Sequence, residues 1–262
     1  MDLGLSGKAA VVTGASRGIG LAVTRALAAE GVRVAAAART LTGPLSELAD
    51  SADVRPVLVD LATPDGPAHL VDQAVSLFGG LDVLVNNVGA VQPRTGGFLS
   101  VSDEDWTWTL TINLMSAVRT TRAALPHLID RGVGAVVTIG SVGARLPDPS
   151  FIDYCASKAA LASFSKALSK EFGPHGVRVN TVTPGPVTTD IWLGEQGLAT
   201  TLAATAGGSR EAVTDAVAAQ SATGRFSRPQ EVADLVLLLA SERAGNVTGS
   251  DFVIDGGVVT TL

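Results

Sequence analysis

The sequence predicts one α/β domain: a mostly parallel, doubly wound sheet with helices on both faces. Three observations predict it. Short apolar runs such as Lys8–Thr13, Val32–Ala38 and Ala135–Ile139 recur along the chain, and such runs read as strands covered on both sides. Longer segments with apolar residues at helical spacing lie between them, so strand and helix alternate. The residues with chemistry to offer follow strand ends: a glycine turn after Thr13, Asn86-Asn87 after Val85, Ser141 after Ile139, and Pro184-Gly185 after Val182. In open parallel sheets, ligands sit beyond the carboxyl ends of the strands.

Each element has its own signal. Lys8–Thr13 is the first strand and runs straight into Gly14. Gly18–Glu30 reads as a helix that Gly31 stops, and Val32–Ala38 is the second strand. Pro44–Ser51 is a short helix, and Val54–Val59 is the third strand, ending at Asp60. Pro64 suits a first helical turn, and that helix runs to Phe78. Leu81–Val85 is the fourth strand and leads into Asn86-Asn87-Val88-Gly89. A loop with Gly96-Gly97 precedes a long helix, Asp103–Arg131, in which a break is expected near the start. Ala135–Ile139 is the fifth strand, and a proline-containing loop separates it from the helix Asp153–Phe172. Val177–Val182 is the sixth strand, residues 186–226 are looser with two short helices expected, Pro229–Ala240 is a helix, and Asp251–Ile254 is the seventh strand. Residues 1–262 read as one domain, with 186–222 as a substrate lid hinged at Gly194, Gly197 and Gly207-Gly208.

Composition narrows the partners. The net charge is −6 with only 17% charged residues, and no basic stripe matches the phosphates of a nucleic acid. No apolar stretch approaches the ~20 residues that cross a bilayer, so no membrane partner is expected. The N-terminus has no basic start followed by a long apolar core, so no signal peptide is expected. The single cysteine, Cys155, excludes an internal disulfide and fits a cytoplasmic setting; it reads as a small buried hydrophobe. His69, His127 and His175 are far apart in sequence, so no metal site is expected.

Two constellations carry chemistry. The first is T-G-A-S-R-G-I-G, Thr13 to Gly20, with glycines at 14, 18 and 20. Set between a strand and a helix, such a turn lets backbone approach a pyrophosphate, which the helix N-terminus then attracts. The second strand selects the dinucleotide. An NAD site usually carries an acid about 20 residues on. Here Arg39 follows the strand, no acid occurs before Glu47, and Arg17 sits in the turn. Two guanidiniums suit the 2′-phosphate of NADP(H); solvated surface charge is the other reading of both. The second constellation is Ser141, Tyr154 and Lys158. Tyr154 and Lys158 are i and i+4 on one helix face, and the short loop returns the Ser141 hydroxyl beside them. A hydroxyl, a phenol and an ammonium together suit proton transfer at an oxygen. Tyr154 is the only tyrosine in the protein.

With these residues in view, the chain resembles the short-chain dehydrogenase/reductase family, in its compact single-domain branch, and the ketoreductases within it. The resemblance rests on Thr13-Gly14 to Gly20, Asp60, Asn86-Asn87-Val88-Gly89, Asn113, Ser141, Tyr154-x-x-x-Lys158, Pro184-Gly185 with Thr189, and Asp255-Gly256-Gly257. One departure is Val88, where the family usually has alanine. The resemblance implies a seven-stranded Rossmann-type fold and a catalytic set of Asn113, Ser141, Tyr154 and Lys158. Tyr154 exchanges a proton with the substrate oxygen, Ser141 polarises that oxygen, Lys158 holds the nicotinamide ribose and lowers the phenol pKa, and Asn113 supports a water linked to Lys158. The cofactor set it implies comprises Gly14, Ser16, Arg17, Gly18, Ile19, Gly20, Arg39, Asp60, Leu61, Asn87, Gly89, Tyr154, Lys158, Pro184, Gly185, Val187 and Thr189. Asn87 and Gly89 would lie near the adenine ribose, Asp60 near the adenine, and Val187 and Thr189 near the carboxamide.

The expected activity is NADP(H)-dependent reduction of a carbonyl to a secondary alcohol. An NAD-dependent alcohol dehydrogenase, an epimerase or dehydratase with tightly held cofactor, and a non-catalytic dinucleotide sensor stay open beside it. Leu146, Pro147, Phe151, Ile191, Trp192, Leu193 and Leu198 occupy the pocket-forming stretches and predict a mostly apolar substrate. Fatty-acid-synthesis ketoreductases dock an acyl carrier through two arginines, but the matching places here carry Gly132 and His175, with Arg131 beside the first. The family resemblance also implies a homodimer or homotetramer packed through helices 103–131 and 153–172.

Overall fold

In a computed structural model, which describes residues 2–261, seven strands form a single all-parallel sheet in the order β3-β2-β1-β4-β5-β6-β7. The strands are β1 (Ala9–Thr13), β2 (Arg33–Ala38), β3 (Val54–Leu58), β4 (Val83–Asn86), β5 (Gly134–Ile139), β6 (Val177–Pro184) and β7 (Asp251–Ile254). Every residue of β1, β4 and β5 is buried, as strands covered on both faces require. Their alternate side chains serve two separate cores. Ala10 and Val12 join α1 (Gly18–Ala29), α2 (Gly43–Ser51) and α10 (Pro229–Ala240) on one face. Ala9 and Val11 join α3 (Gly66–Phe78), α5 (Ser116–Asp130) and α6 (Ile152–Phe172) on the other.

The strand order reverses between β1 and β4, and the crevice for a ligand opens there. One side chain closes the sheet at that point. The Thr13 hydroxyl donates to Val85 O (3.2 Å) and accepts from Asn87 N (2.8 Å) and Val88 N (3.1 Å). Two glycines then shape the turn. Gly14 has φ of +67°, and a methyl there would meet Asn87 Nδ2 at 2.9 Å. A methyl on Gly20 would lie 2.1 Å from Gly14 O, so α1 packs against the turn only because that position has no side chain.

The structure refines three sequence expectations. The fourth strand starts at Val83; Asp82 before it accepts from Ala9 N through its carboxylate at 2.7 Å, and Leu81 belongs to the approach. The expected break in the long helix is a π-helical turn, Thr111–Met115, between α4 (Asp103–Leu110) and α5. The loose region holds three helices rather than two: α7 (Asp190–Leu193), α8 (Leu198–Ala206) and α9 (Arg210–Ala218). A single turn such as α7 is too short to show periodicity.

Arg178 on β6 anchors α10 by donating to four carbonyls at and just beyond its C-terminus, those of Leu239, Ala240, Ser241 and Ala244. Helix C-terminal carbonyls lack partners of their own, so a cation there satisfies both hydrogen bonding and the helix dipole. Arg178→Met is expected to lower unfolding free energy by about 1.5–3 kcal/mol, the size of a charged hydrogen bond, read as a lower urea midpoint with unchanged slope.

Candidate active site

One cleft of about 1750 Å³ runs along the carboxyl ends of the strands. Seventeen of the anticipated site residues line it: Gly14, Ser16, Arg17, Gly18, Ile19, Arg39, Asp60, Leu61, Asn87, Gly89, Ser141, Tyr154, Lys158, Pro184, Gly185, Val187 and Thr189. Gly20 and Asn113 stand behind its wall. Gly20 acts through close packing, as above. Asn113 is fully buried in the π turn and clasps Ala90 from both sides, accepting from its N–H (2.8 Å) and donating to its carbonyl (2.9 Å). Its side-chain amide thus braces the backbone at Ala90.

Ser141, Tyr154 and Lys158 converge as their spacing predicts. The Ser141 hydroxyl accepts from Gly143 N at 3.1 Å. A methyl built on Gly143 would lie 3.5 Å from Ser141 Oγ and 3.7 Å from Tyr154 Cε1, so hydroxyl and phenol flank one point. Lys158 is 3% exposed; Nζ donates to Ile139 O at 2.9 Å and lies 5.9 Å from the Tyr154 ring centroid. A methyl on Gly89 would meet Nζ at 3.3 Å and Asn113 Oδ1 at 3.1 Å, which brings the buried ammonium beside the end of β4.

Burial governs both ionisable groups. It pushes the Tyr154 phenol up from its ordinary value, and hydrogen bonding with Ser141 offsets only part of that. It lowers Lys158 to about 8, because no carboxylate faces the ammonium. The depressed phenol expected beside Lys158 and an oxidised nicotinamide is thus not a property of the protein by itself. Cys155 lies against Gly143, and burial pushes its thiol up, which suits a packing role and not a nucleophile.

The glycine turn fits a dinucleotide. Its backbone is bare at Gly14 and Gly18, both line the cleft, and α1 begins at Gly18. Arg17 and Arg39 flank it, both exposed, and neither guanidinium makes a hydrogen bond or ion pair among the described residues. Asn87 lines the cleft and also braces the turn, Nδ2 donating to Thr13 O (2.8 Å) and Gly14 O (3.3 Å). Asp255 caps the last turn through Gly257 N and Val259 N, and a methyl on Gly185 would strike its Cβ at 2.9 Å, so the closing D-G-G holds the end of β6.

The apolar residues anticipated around a substrate, Leu146, Pro147, Phe151, Ile191, Trp192, Leu193 and Leu198, all line the same cleft. Trp192 packs edge-on against Phe226 with centroids 5.5 Å apart, and Arg210 of α9 donates to Leu193 O. Arg131, the arginine beside Gly132, is turned toward Asp82 at 3.6 Å.

Sequence reasoning missed a charged cluster beside Tyr154. Arg94 donates through Nε to Asp153 Oδ2 (3.0 Å), again through Nη2, and through Nη1 to Asp105 Oδ1 (2.9 Å). Thr109 adds a 2.7 Å hydrogen bond to the same oxygen of Asp153. The Asp153 side chain is only 2% exposed and that of Arg94 10%. No motif announces this cluster; its one signal is an acid at the start of an apolar helix. Burial opposes ionisation of Asp153, but hydrogen bonds from Arg94 and Thr109, with the guanidinium charge, outweigh it and hold the carboxyl below the usual range. A depressed folded pKa stabilises the fold fully above the unfolded value, which is near 3.9. That contribution is lost as pH falls through the lower folded value. Asp153→Asn is therefore expected to reduce stability at neutral pH and to flatten its acid decline below about pH 4, measured by urea unfolding across pH.

Among the described residues, no group of three or more His, Cys, Asp or Glu could hold a metal ion, and no helix is long and apolar enough to cross a membrane. A family model described as Enoyl-(Acyl carrier protein) reductase matches residues 14–259. The chain is similar to D-threitol dehydrogenase of Mycolicibacterium smegmatis, at 34% identity over 98% of this chain and 94% of that protein. It is 35% identical to L-xylulose reductase of Mus musculus over the full length of both. L-sorbose reductase from Gluconobacter frateurii, solved with NADPH and L-sorbose, superposes with a TM-score of 0.92 at 37% identity over the full length of both chains. The seven parallel strands, the glycine turn and the Ser141–Tyr154–Lys158 set thus have the same owner, and the chain belongs to the short-chain dehydrogenase/reductase family of oxidoreductases.

Proposed function

We propose that this oxidoreductase uses NADPH to reduce a ketone to a secondary alcohol. The observation that carries the reading is that Ser141, Tyr154 and Lys158 meet in the cleft that also holds the glycine turn. A bound nicotinamide cofactor supplies the hydride in such chemistry. Ser141 accepts from Gly143 N and keeps its own proton to donate to the substrate oxygen. Tyr154 gives that oxygen its proton, and burial keeps the phenol protonated beforehand, as reduction requires. Lys158 spends one donor on Ile139 O and keeps two for ribose hydroxyls. Asn113, through Ala90, fixes the backbone beside it.

The free guanidiniums of Arg17 and Arg39 support recognition of a 2′-phosphate, and the NADPH in the similar L-sorbose reductase supports the same choice. The apolar wall supports a substrate with an apolar body. The names of the relatives, a threitol dehydrogenase and two ketose reductases, support a ketone and secondary alcohol couple. Residues 186–222 are the lid in this reading, with Trp192 resting on Phe226. Pairing of copies through helices 103–131 and 153–172 belongs to it too, and exposed Trp108 on α4, with exposed Phe98 and Leu99 just before that helix, supports that assembly.

Cofactor titration is the first check. Arg39→Ala is expected to weaken NADPH binding tenfold or more, about the worth of one charge-assisted contact, and to leave NADH binding nearly unchanged. Equal losses, or a wild type that prefers NADH, would remove the NADP(H) reading.

The lone tyrosine gives the second. Ultraviolet difference absorbance is expected to place the Tyr154 midpoint above the ordinary value of about 10 in the protein alone. Saturating NADP⁺ is expected to bring it down, and Lys158→Met to abolish that decrease and slow turnover together. Activity that survives Tyr154→Phe would leave this phenol a packing residue.

A further inference from the structure

The cluster around Arg94 does more than join two helices. Residues 88–93, which follow β4, line the cleft, and Arg94 closes that segment. Its backbone N–H donates to Ser150 O at 2.7 Å, and its guanidinium reaches Asp153, the residue before Tyr154, as well as Asp105 and Thr109 on α4. The loop is therefore fastened at one residue to both helices flanking the substrate side. Two residues before it stands Gln92, on the cleft wall, and Arg94 Nη1 donates to Gln92 Oε1 at 3.3 Å. The residue between them is Pro93, whose ring fixes its own φ and restricts Gln92 to extended backbone. The anchor at Arg94 is thus transmitted to Gln92 along a stiff path.

That contact also orients an amide. Arginine has donors only, so the Gln92 oxygen is the atom that faces it. The amide nitrogen is left over with two donors, and it donates to no protein group among the described residues. Gln92 is exposed in the protein alone, and a ligand that fills the cleft covers it. The covered donor then selects for an acceptor on that ligand, because an unmatched polar group loses its water without replacement.

We infer that Arg94 is a positioning residue for substrate selection: clamped to Asp153 and Asp105, it holds the Gln92 carboxamide as a hydrogen-bond donor to an oxygen substituent carried by the ketone. The substrate class is a hydroxylated ketone, recognised through Gln92 apart from the reacting carbonyl at Tyr154. This rests on the reductase reading above.

The experiment compares butan-2-one with 3-hydroxybutan-2-one as substrates at saturating NADPH. The wild type is expected to favour the hydroxyketone in kcat/KM. Gln92→Leu is expected to lower the ratio of the two kcat/KM values roughly tenfold, the worth of one hydrogen bond. Arg94→Met is expected to lower it by a similar factor with NADPH affinity retained. Arg94→Lys restores charge without the fork, so it is expected to recover only part of the ratio. The double variant is expected to be no worse than either single one, because the two residues act in series. Equal losses on both ketones, or additive effects in the double variant, overturn the inference. Should Arg94→Met fail to fold, the exposed Gln92 still decides: an unchanged ratio in Gln92→Leu overturns it alone. A wild type that turns over neither ketone with NADPH overturns the reductase reading, and this inference falls with it.

Discussion

The Thr13 hydroxyl is the point on which the site depends. The order of strands reverses between β1 and β4, and the parallel ladder that pairs them runs only as far as Val12 and Val85 before the two chains part. Beyond its end one threonine side chain ties them, giving to Val85 and taking from Asn87 and Val88. The glycine turn leaves from one side of this knot and the loop that reaches Gly89, Ala90 and Gln92 leaves from the other. Asn87 tightens it by donating back to Thr13 and Gly14. The two halves of the cleft are thereby set by short, buried hydrogen bonds rather than by the flexible loops that line it.

The chemistry of the cleft follows from dryness. Sheet and helices bury Lys158 with a backbone carbonyl as its protein partner, and that environment weakens the ammonium's hold on its proton. The same environment strengthens the phenol's hold on its own. From ordinary values that lie close together, the two shifts carry the pair apart on the pH scale: in the protein alone the ammonium gives up its proton more readily and the phenol keeps its own. A charge arriving in such a site acts at low dielectric and is felt strongly.

Much of this was legible in the sequence because it is periodic or glycine-marked. Continuous apolar runs gave β1, β4 and β5, and the i, i+4 spacing brought Tyr154 and Lys158 to one face. Seventeen site residues line a single cleft because most of them follow strand ends, and parallel strands all end on one side. What stayed hidden were contacts across sequence distance. Arg94 and Asp153 are 59 residues apart, and nothing local to either says they meet. The backbone contacts of Asn87 to Thr13 and of Asn113 to Ala90 were hidden for the same reason, since each joins segments far apart in sequence. Of the three helices after β6, two were expected and the third was not, because a four-residue turn such as α7 is too short for a periodic signal.

The π turn at Thr111–Met115 has a consequence of its own. A helix that contains one such turn carries an extra residue compared with a straight α-helix of equal rise. Each residue added to or taken from a helix rotates what lies beyond it by about 100°. Losing one residue here would let the helix regularise, but it would swing Asp105 and Thr109 off the Arg94 side or carry Asn113 away from Ala90. Chain length is therefore fixed more strictly than side-chain identity in this stretch: the two faces are phased against each other, and a single-codon deletion would uncouple them where many substitutions would not.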